Sequence, residues 1–138
     1  MQTFLPYPEF EKSARVLDNR RLGKQRVECL QILRALYDPN YGWQNHPAVI
    51  MWIGCSNALC NYGQTMCLEW KRRGFKDTVL EKLIMLRPPN QFDGPYPKWL
   101  GDEAFHASHR SNLLRKDPAH YSQFGWTEPN NLPYIWPV

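Results

Sequence analysis

Pro39, Pro47, Pro88, Pro89 and Pro118 stand at the borders of the stretches in which apolar residues recur at helical spacing. A residue without a backbone donor can open a helix or end one, but it breaks a helix from within. The chain is therefore cut into helices of limited length. Asp18 is placed to cap the first, and Leu22, Cys29, Leu30, Leu33, Leu36 and Tyr37 form its apolar face up to Asp38-Pro39-Asn40. Asn45 or His46 caps a second, with Pro47 in its first turn. Val49, Trp52, Leu59, Met66 and Trp70 carry that helix to Gly74 as one continuous rod of roughly 25 residues. A shorter helix follows from Asp77-Thr78 through Leu80, Leu83, Ile84 and Leu86. The last runs from Gly101-Asp102 to Lys116, halted by Asp117-Pro118.

The remaining segments are poor in helix signals. Residues 1–16 contain Pro6 and Pro8 among Phe4, Leu5, Tyr7 and Phe10, and are expected to be extended and pinned down. Residues 88–99 read as an ordered surface loop. Beyond Pro118, Tyr121, Phe124, Trp126, Tyr134 and Trp136 make an aromatic, proline-broken tail that packs back on the helices. The expected fold is all-α, with residues 1–138 forming one compact domain, which suits a chain of 16.3 kDa.

No apolar run reaches the roughly 20 residues that cross a bilayer, and the first residues lack the charged and apolar regions of a secretory signal. A cytoplasmic protein with no membrane partner is expected. The four cysteines, Cys29, Cys55, Cys60 and Cys67, lack zinc-site spacing and read as reduced, core-lining residues, so no metal or other cofactor is implied. Seventeen Lys and Arg against thirteen Asp and Glu give a net charge of +4, and aromatics make up 14%. That balance favours an anionic partner and permits base stacking. No Ser-His-Asp order, phosphate-binding loop or dinucleotide fingerprint is present.

On the first helix, Arg21, Lys24, Gln25 and Gln31 fall on the same face as Glu28. Such a face can be plain solvated surface with a Lys24–Glu28 pair worth about 0.3–0.5 kcal/mol. It can equally hold phosphates while leaving one acid free to act on a sugar or base. On the last helix His106, His109 and Arg110 share a face. With Asn112, Arg115 and Lys116, His109 and Arg110 form a second candidate for holding a nucleic-acid backbone; Arg115 and Lys116 also suit the negative end of the helix dipole. Lys71-Arg72-Arg73 reads as a cationic helix end. Trp43, Trp52, Trp70 and Trp99 read as core anchors, and a tail aromatic as the better stacking platform.

Three stretches resemble the pyrimidine-dimer DNA glycosylase family of the bacteriophage endonuclease V type. They are Leu17-Asp18 with Leu22 and Glu28; Glu69-Trp70-Lys71-Arg72-Arg73-Gly74-Phe75 with Lys76-Asp77-Thr78; and Asp117-Pro118-Ala119-His120-Tyr121. The resemblance implies a helical enzyme that cuts the glycosidic bond of a damaged base in double-stranded DNA and can then nick the strand. Its implied nucleophile is the chain's α-amine, here that of Met1. α-Amines as a class titrate at about 7.7–8.0, well below lysine side chains at about 10.4. Glu28 is the implied partner that stabilises the cationic sugar and moves protons. Arg20, Arg21 and Lys24 would hold phosphates together with the basic end of the last helix.

The chain departs from the family pattern at Val27 and Gln31, where the phage enzyme carries arginines, so the lesion removed is left open. Gln2 is large for removal of the preceding methionine; were Met1 lost, Gln2 would be terminal and could cyclise, abolishing the amine. Lys24 is the reserve nucleophile, and activation of water by Glu28 without a lyase step is a third route. A nucleic-acid-binding module without catalysis, or a protein-interaction domain, are the alternatives.

Overall fold

The computed structural model describes residues 1–87 and 94–138. Among these the regular structure is helical: α1 (Phe10–Val16), α2 (Asn19–Tyr37), α3 (Pro47–Ile50), α4 (Ser56–Arg72), α5 (Leu80–Leu86), α6 (Glu103–Lys116) and α7 (Pro118–Tyr121), then a 3-10 turn at Ser122–Phe124. The fold is all-α, as expected. No helix among the described residues is long and apolar enough to cross a membrane. Residues 88–93 of the expected surface loop lie outside the described residues.

The signals at Asp18 and Asp38-Pro39 set the limits of α2: the Asp18 carboxylate accepts the Arg21 N–H at 3.3 Å, and the helix stops at Tyr37. α2 packs most extensively on α4. Gly23 lies under the Trp70 ring and Gly63 lies against Cys29, so the two helices run antiparallel. They approach closely because Gly63 has no side chain: a Cβ there would stand 2.5 Å from Cys29 Sγ and 2.8 Å from Leu83 Cδ1. Cys29, Cys60 and Cys67 are buried and unpaired by disulfides, filling core volume as small apolar groups.

Two expectations are corrected. Residues 10–16 form α1 instead of extended chain, because Pro8 precedes the helix and Ala14, Val16 and Ser13 turn inward against α4. The expected rod from Pro47 to Gly74 is broken. α3 stops after one turn, Gly54 adopts φ +79°, and α4 restarts at Ser56. Trp99 Nε1 donates to the Met51 carbonyl at 2.9 Å, satisfying an acceptor that the break frees. Periodicity survives because Trp52 and Leu59 are both fully buried on either side of it.

The cationic end of α4 does more than complement its dipole. Glu69, 6% exposed, takes Arg72 at 2.7 Å and Arg73 at 2.8 Å. Arg73 also donates to the Ala14 and Arg15 carbonyls and to Asn19 Oδ1, tying α1 and the start of α2 to α4. Arg26 lies over the Trp70 ring and pairs with Asp77. At the same junction between α1 and α2, Tyr121 donates to the Asp18 carboxylate and His120 Nε2 bonds the Val16 carbonyl at 2.8 Å. The aromatic tail then crosses α6. Ser111 Oγ and Ser108 Oγ accept from Leu132 N–H and Ile135 N–H, and Asn112 Nδ2 donates to the Leu132 carbonyl.

Candidate active site

The first residues run extended through the middle of the protein, a path on which backbone groups find no helix or sheet partner. Side chains from four helices and from the segment itself satisfy them. Gln2 N–H points at Glu28 Oε2 (3.4 Å), and Thr3 N–H donates to the Gln2 side chain (2.9 Å). Phe4 N–H donates to Gln25 Oε1 (2.8 Å) and Tyr62 donates to the Phe4 carbonyl (2.8 Å). Leu5 is held at both ends: its N–H donates to His109 Nδ1 (2.9 Å) and its carbonyl accepts from His106 Nδ1 (2.7 Å). Arg110 reaches the Pro6 carbonyl at 2.7 Å, and Ser13 on α1 bonds both backbone groups of Tyr7.

This arrangement fixes the tautomers of the two histidines. His106 carries its proton on Nδ1 and accepts from Gly101 N–H at Nε2 (2.9 Å). His109 must carry its proton on Nε2, because Nδ1 is an acceptor. Both are neutral: burial lowers the pKa of His106, and burial together with His106 pushes that of His109 down to about 3.

The segment leads Met1 to a cleft of about 410 Å³, lined by Met1, Gln2 and Phe4 and by Arg20, Arg21, Lys24, Gln25 and Glu28 of α2. Lys116 of α6 and Tyr134 and Trp136 of the tail close it. The Glu28 carboxylate, 12% exposed, accepts from Gln25 Nε2 at 2.9 Å and stands 3.8 Å from the Lys24 ammonium. Burial and the charges of Arg21, Arg115 and Lys24 lower the pKa of Lys116, the mark of cations crowded where an anion would relieve them. Burial raises the pKa of Tyr134, against the pull of Arg115 and Arg21.

The expected residues separate into three groups. Arg20, Arg21, Lys24, Glu28, Lys116 and Met1 converge on the cleft. Gln31 is half-buried but off its walls, and Arg115 is exposed beside it, bonded to Asn112. The others point inward. Gln25 is 2% exposed and joins Glu28, Phe4 and Tyr62; His109 is completely buried; Arg110 is spent on Pro6, Glu103 and Glu128; Asn112 holds the tail. His109, Arg110 and Asn112 position the N-terminal segment and the tail away from the cleft, while Gln25 does so from the cleft wall.

Sequence reasoning did not place Tyr134 and Trp136 in this cleft, although a tail aromatic had the right chemistry. It also read His46 only as a helix cap. His46 Nδ1 does accept the Ala48 N–H at 3.0 Å, but its ring also packs edge-on against Trp136 at 5.9 Å. Burial and the Met1 amine lower its pKa while Glu28 pulls it up, so it lies in the field of both groups. No local pattern around His46 signals that position.

A cationic cleft around one carboxylate has the charge to hold a nucleic-acid backbone. Comparison with known families makes that specific. Residues 1–82 match the pyrimidine dimer DNA glycosylase family, and the chain belongs to that family of DNA-repair glycosylases. Comparison with curated proteins and with solved structures found no match. The matched stretch contains the N-terminal segment, α2 and α4. Lys116, Tyr134 and Trp136, which complete the cleft, lie beyond it.

Proposed function

We propose that the protein removes a damaged pyrimidine from double-stranded DNA through the Met1 amine and then nicks the strand. One observation carries this reading: the pinned N-terminal segment opens into the same cationic cleft as the Glu28 carboxylate, with Gln2 N only 3.4 Å from Glu28 Oε2. The amine's lone pair forms a bond to the deoxyribose C1′ as the bond from C1′ to the base breaks. The base leaves with that electron pair and gains a proton; the amine loses one to Glu28, and ring opening gives an imine. Loss of a C2′ proton expels the 3′ phosphate, and water hydrolyses the imine to return the amine. Glu28 balances positive charge on the sugar and carries protons. Arg20, Arg21, Lys24 and Lys116 hold phosphates around the displaced nucleotide.

A second reading has one observation in its favour. The backbone nitrogen within reach of Glu28 is that of Gln2, so removal of Met1 would put a primary amine at that position in every molecule whose Gln2 has not cyclised. Borohydride trapping on a duplex with an abasic site tests both. The expected adduct is a covalent complex whose peptide mass maps the DNA to the α-amine of Met1, or of Gln2 in processed protein. It falls at least a hundredfold in rate in Glu28→Gln. An adduct on Lys24 overturns the assignment of the nucleophile. Base release without any adduct leaves Glu28-activated water, and DNA binding with neither reaction leaves a binding module. A panel of single-lesion duplexes, beginning with cyclobutane dimers, reads the base removed.

A further inference from the structure

Trp43 is not the core anchor expected from the sequence. Its indole is 62% exposed, yet its backbone is held at φ +64° directly after Gly42 at φ +93°. A left-handed backbone is unfavourable at a bulky residue, and an exposed indole recovers little of that cost by burial. The surrounding loop is nonetheless fully built. Tyr41 N–H donates to the Asp38 carbonyl at 3.0 Å, Asn40 N–H to the Asp38 carboxylate at 2.9 Å, Gln44 Nε2 to the Asp38 carbonyl at 2.7 Å, and His46 N–H to the Trp43 carbonyl at 3.0 Å. The loop thus presents a flat apolar ring to solvent.

Its position gives that ring a use. Trp43 meets His46 edge-on at 6.0 Å, His46 meets Trp136 edge-on at 5.9 Å, and Trp136 lines the cleft beside Tyr134 at 5.7 Å. A continuous row of rings therefore runs from the cleft outward to Trp43. The cationic residues Arg20, Arg21, Lys24 and Lys116 draw a phosphate backbone to the same opening. When one nucleotide of a duplex enters a cleft, its neighbours and its opposite base lose stacking, and an aromatic face beside the entrance can replace it.

We propose that Trp43 stacks on a base left unpaired next to the nucleotide held in the cleft, and so determines preference for damaged over intact duplex. The inference rests on the DNA-repair reading above, but its test needs no chemistry at the amine. Binding is measured by fluorescence anisotropy to two duplexes, one intact and one carrying a single tetrahydrofuran abasic analogue, which has no aldehyde to trap. Trp43→Ala should weaken binding to the tetrahydrofuran duplex about 5- to 100-fold, the range of base–aromatic stacking, and binding to intact duplex less than 2-fold. Trp43→Phe should stay within about 3-fold on both. A 2-aminopurine opposite the tetrahydrofuran should be quenched in the wild-type complex and brighter with Trp43→Ala.

Equal affinity of wild type and Trp43→Ala for the tetrahydrofuran duplex, or an equal loss on both duplexes, overturns the proposal. So does a wild type that does not discriminate between them. Thermal melting of each variant confirms that the fold is intact. Failure of borohydride trapping in the wild type is read separately and bears on the nucleophile alone.

Discussion

The neutral, buried His109 makes the protein's stability fall with acidity in a window where carboxylates contribute little. Its pKa lies near 3 in the folded protein against an ordinary 6.5. Between those values the unfolded chain binds a proton that the folded one refuses, so stability falls as pH falls below 6.5. From pH 7.5 to pH 5.0 the loss attributable to this one group is about 2 kcal/mol, and it requires only that the folded pKa lie below 5. Asp18, Glu69 and Asp77 have lowered pKa values, and their stabilisation is lost only at lower pH, as they titrate below about 4.5. The discriminating variant is His109→Asn, whose Oδ1 can replace Nδ1 as acceptor for the Leu5 N–H. Urea unfolding at pH 7.5, 6.0 and 5.0, followed by tryptophan fluorescence, should show the wild type losing about 2 kcal/mol more than the variant across the range. A residual slope should persist in both, because His46 and His106 are also held low. Parallel curves for the two proteins would refute the claim that burial keeps His109 neutral.

Lys24→Ala with Lys116→Ala removes two exposed cations of the cleft. The slope of log affinity against log salt should shrink by about 2, with stability changed by no more than about 0.5 kcal/mol; an unchanged slope in anisotropy titrations takes both off the DNA face. Gly63→Ala drives a methyl into Cys29 and Leu83 and should cost about 1–3 kcal/mol in urea unfolding. Wild-type stability there would mean that α2 and α4 separate at little cost. Gln25→Met leaves the Phe4 N–H without its acceptor, a penalty of about 1–3 kcal/mol. It also strips Glu28 of its amide donor, so borohydride trapping should slow at least tenfold; an undiminished rate would show that Gln25 does not position the acid.

The elements with local signals were legible in the sequence. Asp18 and Pro39 bracket α2, Gly74 follows α4 with φ +93°, and Asp102 caps α6 through the Ala104 N–H at 3.2 Å. The break between α3 and α4 was not, because Trp52 and Leu59 stay in phase across it while the backbone restarts. The site was half legible. A helical wheel gathers Arg21, Lys24, Gln25 and Glu28, but it cannot show which of them another segment will cover. Gln25, His109 and Arg110 were expected to face DNA because their partners, Phe4, Leu5 and Pro6, lie 21 to 104 residues away along the chain. Contacts of that span leave no periodicity to read. Trp136 reaches the cleft for the same kind of reason, through bonds between the tail and Ser108, Ser111 and Asn112.

The side chains that grip Leu5 and Pro6 stand on α6, more than a hundred residues downstream. During translation the opening residues leave the ribosome first, and although Gln25 and Tyr62 can take Phe4 early, the bonds to Leu5 and Pro6 cannot form until residue 110 has followed. Synthesis of the N-terminal segment and completion of its seat are therefore separated in time, and a nascent or truncated copy lacking α6 keeps only the contacts from α1, α2 and α4 to hold that segment beside Glu28.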